Sequence, residues 1–259
     1  MSDLRVTLLQ SMLHWEDAVA NRAMFEEKIV GLKGSTDLIV LPEMFTTGFS
    51  MRSAELAETM DGATVAWMRE QARTVNAAIY GSAIITEGGK RFNRGLFGTP
   101  DGKVTIYDKR HLFRFANETD HYSPGKDRVV VEWRGWRLLL QVCFDLRFPV
   151  FSRNRGDYDA ILYVANWPEA RRFPWSQLLI ARAIENQCYV AGVNRVGMDG
   201  KGIHYSGDSV MIDPRGAVIG EVEPSQEGVA TTIFGRGALD DFREKFPVGM
   251  EADDFDPRL

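Results

Sequence analysis

Short apolar runs and stretches of helical period alternate along the 259-residue chain, the pattern of a mixed α/β protein. A strand is predicted over 4–9, then a helix over 16–32 with Val19, Ala23, Ile29 and Val30 among its apolar positions and Gly31 and Gly34 at its end. Residues 37–41 form a second compact strand, stopped by Pro42. A helix over 63–75 leads into a strand over 77–86. Turns at Gly88-Gly89 and Pro100-Asp101-Gly102 then set off strands over 92–99 and 103–108 as an antiparallel meander. After an irregular stretch over 114–125, residues 128–133 and 136–143 pair as a hairpin across Arg134-Gly135. A short helix is predicted over 148–155, a strand over 160–165, a helix over 174–187 with Leu178, Leu179, Ala181, Ala183 and Ile184 inward, and a strand over 188–194. The last third carries strands over 206–212, 217–222 and 228–234, a turn at Asp213-Pro214-Arg215-Gly216, a helix over 239–246 and an irregular tail over 247–259. No repeat, low-complexity segment or boundary interrupts the series, so a single domain is expected over 1–259.

Composition narrows the function classes. With 44% hydrophobic and 26% charged residues the chain is an ordinary globular protein rather than a disordered or fibrous one. A net charge of −5 and a pI near 5.5 argue against a nucleic-acid partner, whose binding surfaces carry a basic excess. The residues Met1-Ser2-Asp3-Leu4-Arg5-Val6 show no basic region ahead of a long apolar core, and no segment reaches the ~18 unbroken apolar residues of a membrane span. A cytoplasmic protein with no membrane partner is the expectation. Cys143 and Cys188 have neither CxxC nor Cys/His ligand spacing and the four histidines are scattered, so no disulfide framework and no metal site is expected.

Candidate chemistry gathers where strands end. The run Trp136-Arg137-Leu138-Leu139-Leu140-Gln141-Val142 reads as a strand buried on both faces, and it stops at Cys143, after which Asp145, Arg147 and Pro149 break the pattern. A thiol at such a turn can face a cleft. Cys188, among Tyr189, Val190 and Ala191, reads instead as core packing. Glu43 stands just beyond another strand, beside Met44, Phe45 and Phe49, an apolar wall of the kind that raises a carboxylate's pKa and prepares it as a base. Lys109 follows the strand over 103–108. Singly, such residues are most often a small core thiol and two solvated charges. Together, Glu43, Lys109 and Cys143 make sense as an acyl-transfer site that needs no cofactor. A thiol titrates near about pH 8.5 unaided, so Lys109 would stabilise its thiolate. Glu43 would take or relay the proton, and Lys109 with the Phe144 amide would hold the oxyanion.

The three segments Leu41-Pro42-Glu43-Met44-Phe45, Tyr107-Asp108-Lys109-Arg110-His111-Leu112-Phe113 and Cys143-Phe144-Asp145-Leu146-Arg147-Phe148-Pro149 resemble the nitrilase, or carbon-nitrogen hydrolase, superfamily with its Glu-Lys-Cys triad. The likeness continues through Asn166-Trp167-Pro168, Ala181-Arg182-Ala183-Ile184-Glu185-Asn186-Gln187 and Gly192-Val193-Asn194-Arg195. This resemblance implies an α/β fold, a four-layer αββα sandwich of two mixed β-sheets flanked by helices, that pairs into a homodimer or higher homo-oligomer through helices beside the site. It also implies a second glutamate near the lysine, a place Glu118 matches. The segments from Phe115 to Tyr122, Asn166 to Arg171 and Arg243 to Pro247 are most similar to the omega-amidase branch. That branch hydrolyses the terminal amide of short dicarboxylic monoamides such as 2-oxoglutaramate and 2-oxosuccinamate. A small-molecule amide substrate is implied, with Arg171 for its free carboxylate and Phe45 and Trp167 shaping the pocket. Arg172, Arg114 and Arg195 are alternatives to Arg171. Three rival readings stay open. One is a nitrilase, carbamoylase or amidase of other preference, another a non-catalytic ligand-binding module on the same fold, and the third a papain-like hydrolase using His111, His121 or His204.

Overall fold

Leu4, Val6 and Leu8 leave the first strand on one side and Leu9 on the other, and all four are buried, so this strand needs apolar cover on both faces. The computed structural model, which describes residues 2–253, supplies it by stacking two sheets between helices. In chain order the elements are β1 (Leu4–Gln10), α1 (Ala18–Val30), β2 (Leu38–Val40), α2 (Ser53–Leu56), α3 (Ala63–Val75), β3 (Ala78–Glu87), β4 (Lys90–Gly98), β5 (Val104–Asp108), α4 (Glu118–His121), β6 (Val130–Trp133), β7 (Trp136–Val142), α5 (Pro149–Ser152), β8 (Ala160–Ala165), α6 (Arg172–Asn186), β9 (Tyr189–Asn194), β10 (Val196–Met198), β11 (His204–Ser206), β12 (Val210–Ile212), β13 (Val218–Glu221), β14 (Gly228–Phe234) and α7 (Arg236–Lys245).

The first sheet runs β14-β1-β2-β3-β4-β5 and the second β13-β12-β9-β8-β7-β6. In each, three central strands are parallel and the outer ones antiparallel. One apolar cluster joins Leu4, Val6, Leu8, Leu38 and Val40 of the first sheet to Leu138, Leu140 and Val142 of the second, and reaches Trp175 and Leu179 of α6. Another joins Leu9, Ile39 and Ile79 to Phe25 and Ile29 of α1 and to Val65, Met68 and Ala72 of α3. The layers are therefore helices, sheet, sheet, helices. The mixed αββα sandwich expected above is the fold. Among the described residues no helix is long and apolar enough to cross a membrane.

Most predicted elements lie within a residue or two of the observed ones, and the departures have local causes. The stretch 206–212 is two strands, because Gly207 and Asp208 take φ of 75° and 58° and break the extension. A side chain at Gly207 would begin 2.2 Å from the Gln10 amide, so only glycine fits that crossing. The released β11 pairs with β10 as a separate ribbon. On α6, Ile184 points outward, 51% exposed, while Trp175, Leu179, Arg182, Ala183 and Asn186 face the sheet. Counting apolar residues misjudged this face, since the 3.6-residue stripe passes through an arginine and an asparagine. Only Pro149–Ser152 of the stretch 148–155 is helical. In the tail, Val248–Glu251 forms a 3-10 turn, and 254–259 lie outside the described residues.

One charged knot fastens α7 to the second sheet. Asp159, buried just before β8, accepts hydrogen bonds from Arg137, Arg236 and Arg243 at 2.8–3.2 Å. Burial alone would raise its carboxyl, but the bonds from Arg137 and Arg236 outweigh burial and hold it well below the usual carboxylate range. A carboxyl lowered on folding contributes stability that is complete above its unfolded value, about pH 4, and is lost as pH falls toward the folded one. Asp159→Asn should therefore cost about 3–5 kcal/mol at pH 7, read as a lower urea midpoint, and the deficit should narrow as pH drops below about 4. Equal midpoints at pH 7 would contradict this.

Candidate active site

Glu43, Lys109 and Cys143 each stand just beyond the carboxyl end of a strand, and Glu118 opens α4. Beyond β2, Leu41 still pairs with β3 through its N–H on the Tyr80 carbonyl at 2.7 Å, and Pro42 then ends the pairing. Met44 follows at φ 42°, its N–H held by Ser82 Oγ at 2.8 Å, and this tight turn aims Glu43 into the molecule. Lys109 is the first residue after β5. Its N–H donates to the Asn93 carbonyl and its carbonyl accepts from Gly125, both at 3.0 Å. Cys143 is the first residue after β7 and opens a 3-10 turn, Cys143–Arg147, at φ 47°.

Glu43, Lys109 and Glu118 are wholly or almost wholly buried. The Lys109 ammonium lies 2.8 Å from Glu43 Oε1 and 3.0 and 3.1 Å from the two Glu118 oxygens. Its third neighbour is the Phe49 ring, with Nζ 5.2 Å from the centroid. Asn93 Nδ2 donates to both carboxylates, at 2.7 Å to Glu43 and 3.2 Å to Glu118. The Asn166 N–H donates to Glu43 Oε2 at 2.8 Å and the Phe113 N–H to Glu118 Oε2 at 2.5 Å. Burial would lower the Lys109 pKa, but Glu118 and Glu43 more than offset it, so the group stays cationic. Burial, reinforced by Glu43 and opposed by Lys109, raises Glu118.

The Cys143 thiol is pushed well above its ordinary range by burial first and by Glu43 next, with Lys109 opposing. Lys109 does favour the thiolate, but burial and Glu43 outweigh it. The lysine's charge is already matched by two carboxylates, so the resting sulfur is a neutral thiol, with Sγ 4.0 Å from the Asn166 carbonyl oxygen.

Cys143 and Lys109 open onto a cavity of about 340 Å³ whose walls are mainly aromatic. Phe144, Trp167 and Arg171 line it, together with Arg147 and, from the β10–β11 ribbon and its connection, Tyr205 and Ile203. Phe45 does not. Its side chain turns to the outer face of the first sheet, wedged between Phe25 and Trp67 at 5.8 and 5.7 Å, because the Met44 turn sends successive side chains to opposite sides. Phe49 takes the pocket position instead. Of the alternative arginines, Arg172 is paired with Asp208 at 2.5 Å, Arg195 is buried behind Tyr205, and Arg114 is not part of the cavity wall. The guanidiniums of Arg171 and Arg147 lie over Phe113 and Trp167 at 5.2 and 5.1 Å, and neither has a carboxylate partner among the described residues. A larger recess of about 730 Å³, bordered by Arg153, Glu185 and Arg243, contains no thiol and belongs to a different face.

Sequence reasoning missed Asn93 and Asn166, which hold the two glutamates. Each was flagged only by being a polar residue in or beside an otherwise apolar strand, the kind of residue that is buried only when it has partners.

The model of the family described as carbon-nitrogen hydrolase matches residues 5–243. Omega-amidase YafV of Escherichia coli (strain K12) is 52% identical over 256 residues, which are 98% of this chain and 99% of that protein. The 2-oxoglutaramate amidase of Bacillus subtilis (strain 168) is 32% identical, covering 82% and 83% of the two chains. Among solved structures, XC1258 from Xanthomonas campestris, a CN-hydrolase superfamily protein with an arsenic adduct in its active site, superposes with a TM-score of 0.97 at 50% identity over 99% of both chains. Agreement of sequence, fold and strand-end chemistry has one reading: the chain belongs to the carbon-nitrogen hydrolase family.

Proposed function

We propose that this enzyme is an omega-amidase that hydrolyses the terminal amide of short dicarboxylic monoamides of the 2-oxoglutaramate and 2-oxosuccinamate type. The observation that carries the proposal is a buried thiol and an ammonium, the latter paired with buried carboxylates, opening into a cavity whose wall holds two arginines without carboxylate partners among the described residues. The amidase names of the relatives support it.

In the proposed reaction the Cys143 sulfur attacks the amide carbon while Glu43 takes its proton. Negative charge moves to the amide oxygen, where the Lys109 ammonium and the Phe144 N–H, free of a helical partner at the start of its turn, hold it. Glu43 then gives the proton to the departing nitrogen, the C–N bond breaks, and ammonia leaves a thioester on Cys143. A water deprotonated by Glu43 attacks the thioester, and the sulfur departs and recovers the proton. Glu118 shares the Lys109 ammonium with Glu43, so the lysine's charge is not matched by Glu43 alone. The substrate's free carboxylate sits against Arg171, with Trp167 and Phe144 flanking its chain.

We also assign the outer face of α6 to a second copy of the chain. Phe173 and Ile184 lie there three helical turns apart and are 72% and 51% exposed.

Ammonia release should be fastest with 2-oxoglutaramate and slower with its nitrile and carbamoyl counterparts, and Cys143→Ala should lower turnover by about 10⁴-fold or more while the protein stays folded. A preferred nitrile or carbamoyl compound would replace the assignment, and substantial turnover by the variant would remove it. Arg171→Ala should raise KM for carboxylated amides by about 10- to 100-fold and leave an uncharged amide of equal length nearly unaffected. Unchanged kinetics on both would take Arg171 out of recognition. Sedimentation should give a homodimer that Ile184→Glu shifts toward monomer, and a monomeric wild type would refute that contact.

A further inference from the structure

Glu43 and Lys109 leave the first sheet and Cys143 leaves the second, so the site is assembled across the plane where the sheets meet. That plane is mainly apolar, filled by residues such as Val6, Leu8, Val40, Leu140 and Val142. Apolar burial is non-directional, so it holds the sheets together without setting to a fraction of an ångström where one lies along the other. Directional contacts must do that. Near the site, Tyr80 Oη donates across the plane to the Gln141 carbonyl at 3.0 Å, and Asn166 donates to Glu43 as described above.

A third crossing is of another kind. Asp145 is completely buried, and its carboxylate accepts four hydrogen bonds. Oδ1 takes the His111 N–H at 3.0 Å and His111 Nδ1 at 2.8 Å, while Oδ2 takes the Val142 N–H at 3.0 Å and Tyr107 Oη at 2.7 Å. Tyr107 and His111 stand two residues before and two after Lys109, and Val142 and Asp145 stand on either side of Cys143. One carboxylate therefore grips both ends of the loop that carries the ammonium and both flanks of the turn that carries the thiol. The turn needs such a grip, because Cys143 sits at φ 47°, in the left-handed region that non-glycine residues seldom adopt. His111 is held from the other side by stacking on Phe148, centroids 3.8 Å apart at 8°.

We infer that Asp145 is the positioning residue that sets the distance between the Cys143 sulfur and the Lys109 ammonium across the two sheets. It acts through its neighbours, and the inference rests on reading Cys143 as nucleophile and Lys109 as its cation. An acceptor-only group suits the site, since His111 N–H, Val142 N–H and Tyr107 O–H all donate to it and His111 Nδ1 does so in the tautomer protonated there, whereas an asparagine would turn an NH₂ toward at least one of them.

The test compares full-length wild type, Asp145→Asn and Tyr107→Phe by kcat and KM for 2-oxoglutaramate, by thermal midpoint, and by the pH dependence of iodoacetamide alkylation mapped to Cys143 by mass spectrometry. Asp145→Asn should lower kcat by about 100-fold and leave KM within about threefold. Its alkylation midpoint should move up by about one pH unit or more, because a thiolate farther from the ammonium forms less readily. Tyr107→Phe, which removes one of the four hydrogen bonds, should show a smaller loss in the same direction, about tenfold. Wild-type kcat and alkylation in a folded Asp145→Asn would overturn the inference, as would a fall in kcat with the alkylation midpoint unmoved, the mark of a structural role alone. If Asp145→Asn does not fold, Tyr107→Phe decides by the same two readouts. Alkylation of wild type at a residue other than Cys143 would fell the functional reading and this inference with it. With Cys143 alkylated, the outcomes bear on Asp145 alone.

Discussion

The ammonium of Lys109, shut off from water between Glu43 and Glu118, is the constraint on which the rest of the site depends. A buried cation is tolerable only when paired and hydrogen-bonded, and here it has two carboxylates, which together leave one negative charge in excess. Burial disfavours any further charge, and this is why the thiol and Glu118 both shift upward. Asn93 and the Asn166 and Phe113 amides spread the excess over fixed dipoles. The site therefore rests with its proton on sulfur. In the proposed reaction Glu43 removes that proton only as attack on a substrate moves negative charge elsewhere.

The fold serves this cluster by ending strands around it. Because both faces of the central strands are covered, nearly all of their side chains are buried, and a cleft forms where pairing stops. Pro42, the Cys143 turn and the Gly125 contact on Lys109 stop it at neighbouring points of the two sheets. Groups drawn from different sheets then need directional ties between them, which Asn166, Tyr80 and Asp145 provide.

How much of this was legible in the sequence follows from which signals are local. Strands buried on both faces write themselves as apolar runs, and Glu43, Lys109 and Cys143 stood out because each interrupts or ends such a run. The structure brings them together with Glu118. What escaped was whatever depends on the direction of one turn or on partners distant in the chain. Phe45 was placed in the pocket by the family resemblance, but Met44 at φ 42° turns it to the opposite face. Ile184 looked like core, yet the inward stripe of α6 runs through Arg182 and Asn186, which are buried because the Leu146 carbonyl and Glu185 lie within reach. The neutral resting thiol was out of reach as well, since it follows from how many carboxylates share one lysine, a count that only three dimensions supply.

The central claim is that Cys143 carries the acyl group. Rapid acid quenching of the enzyme during turnover of 2-oxoglutaramate, followed by peptide mass spectrometry, measures this directly. The account predicts an acyl adduct confined to the peptide containing Cys143, labile to hydroxylamine and absent from Cys143→Ala. Steady ammonia release with the Cys143 peptide unmodified at every quench time, and turnover persisting in Cys143→Ala, would contradict it.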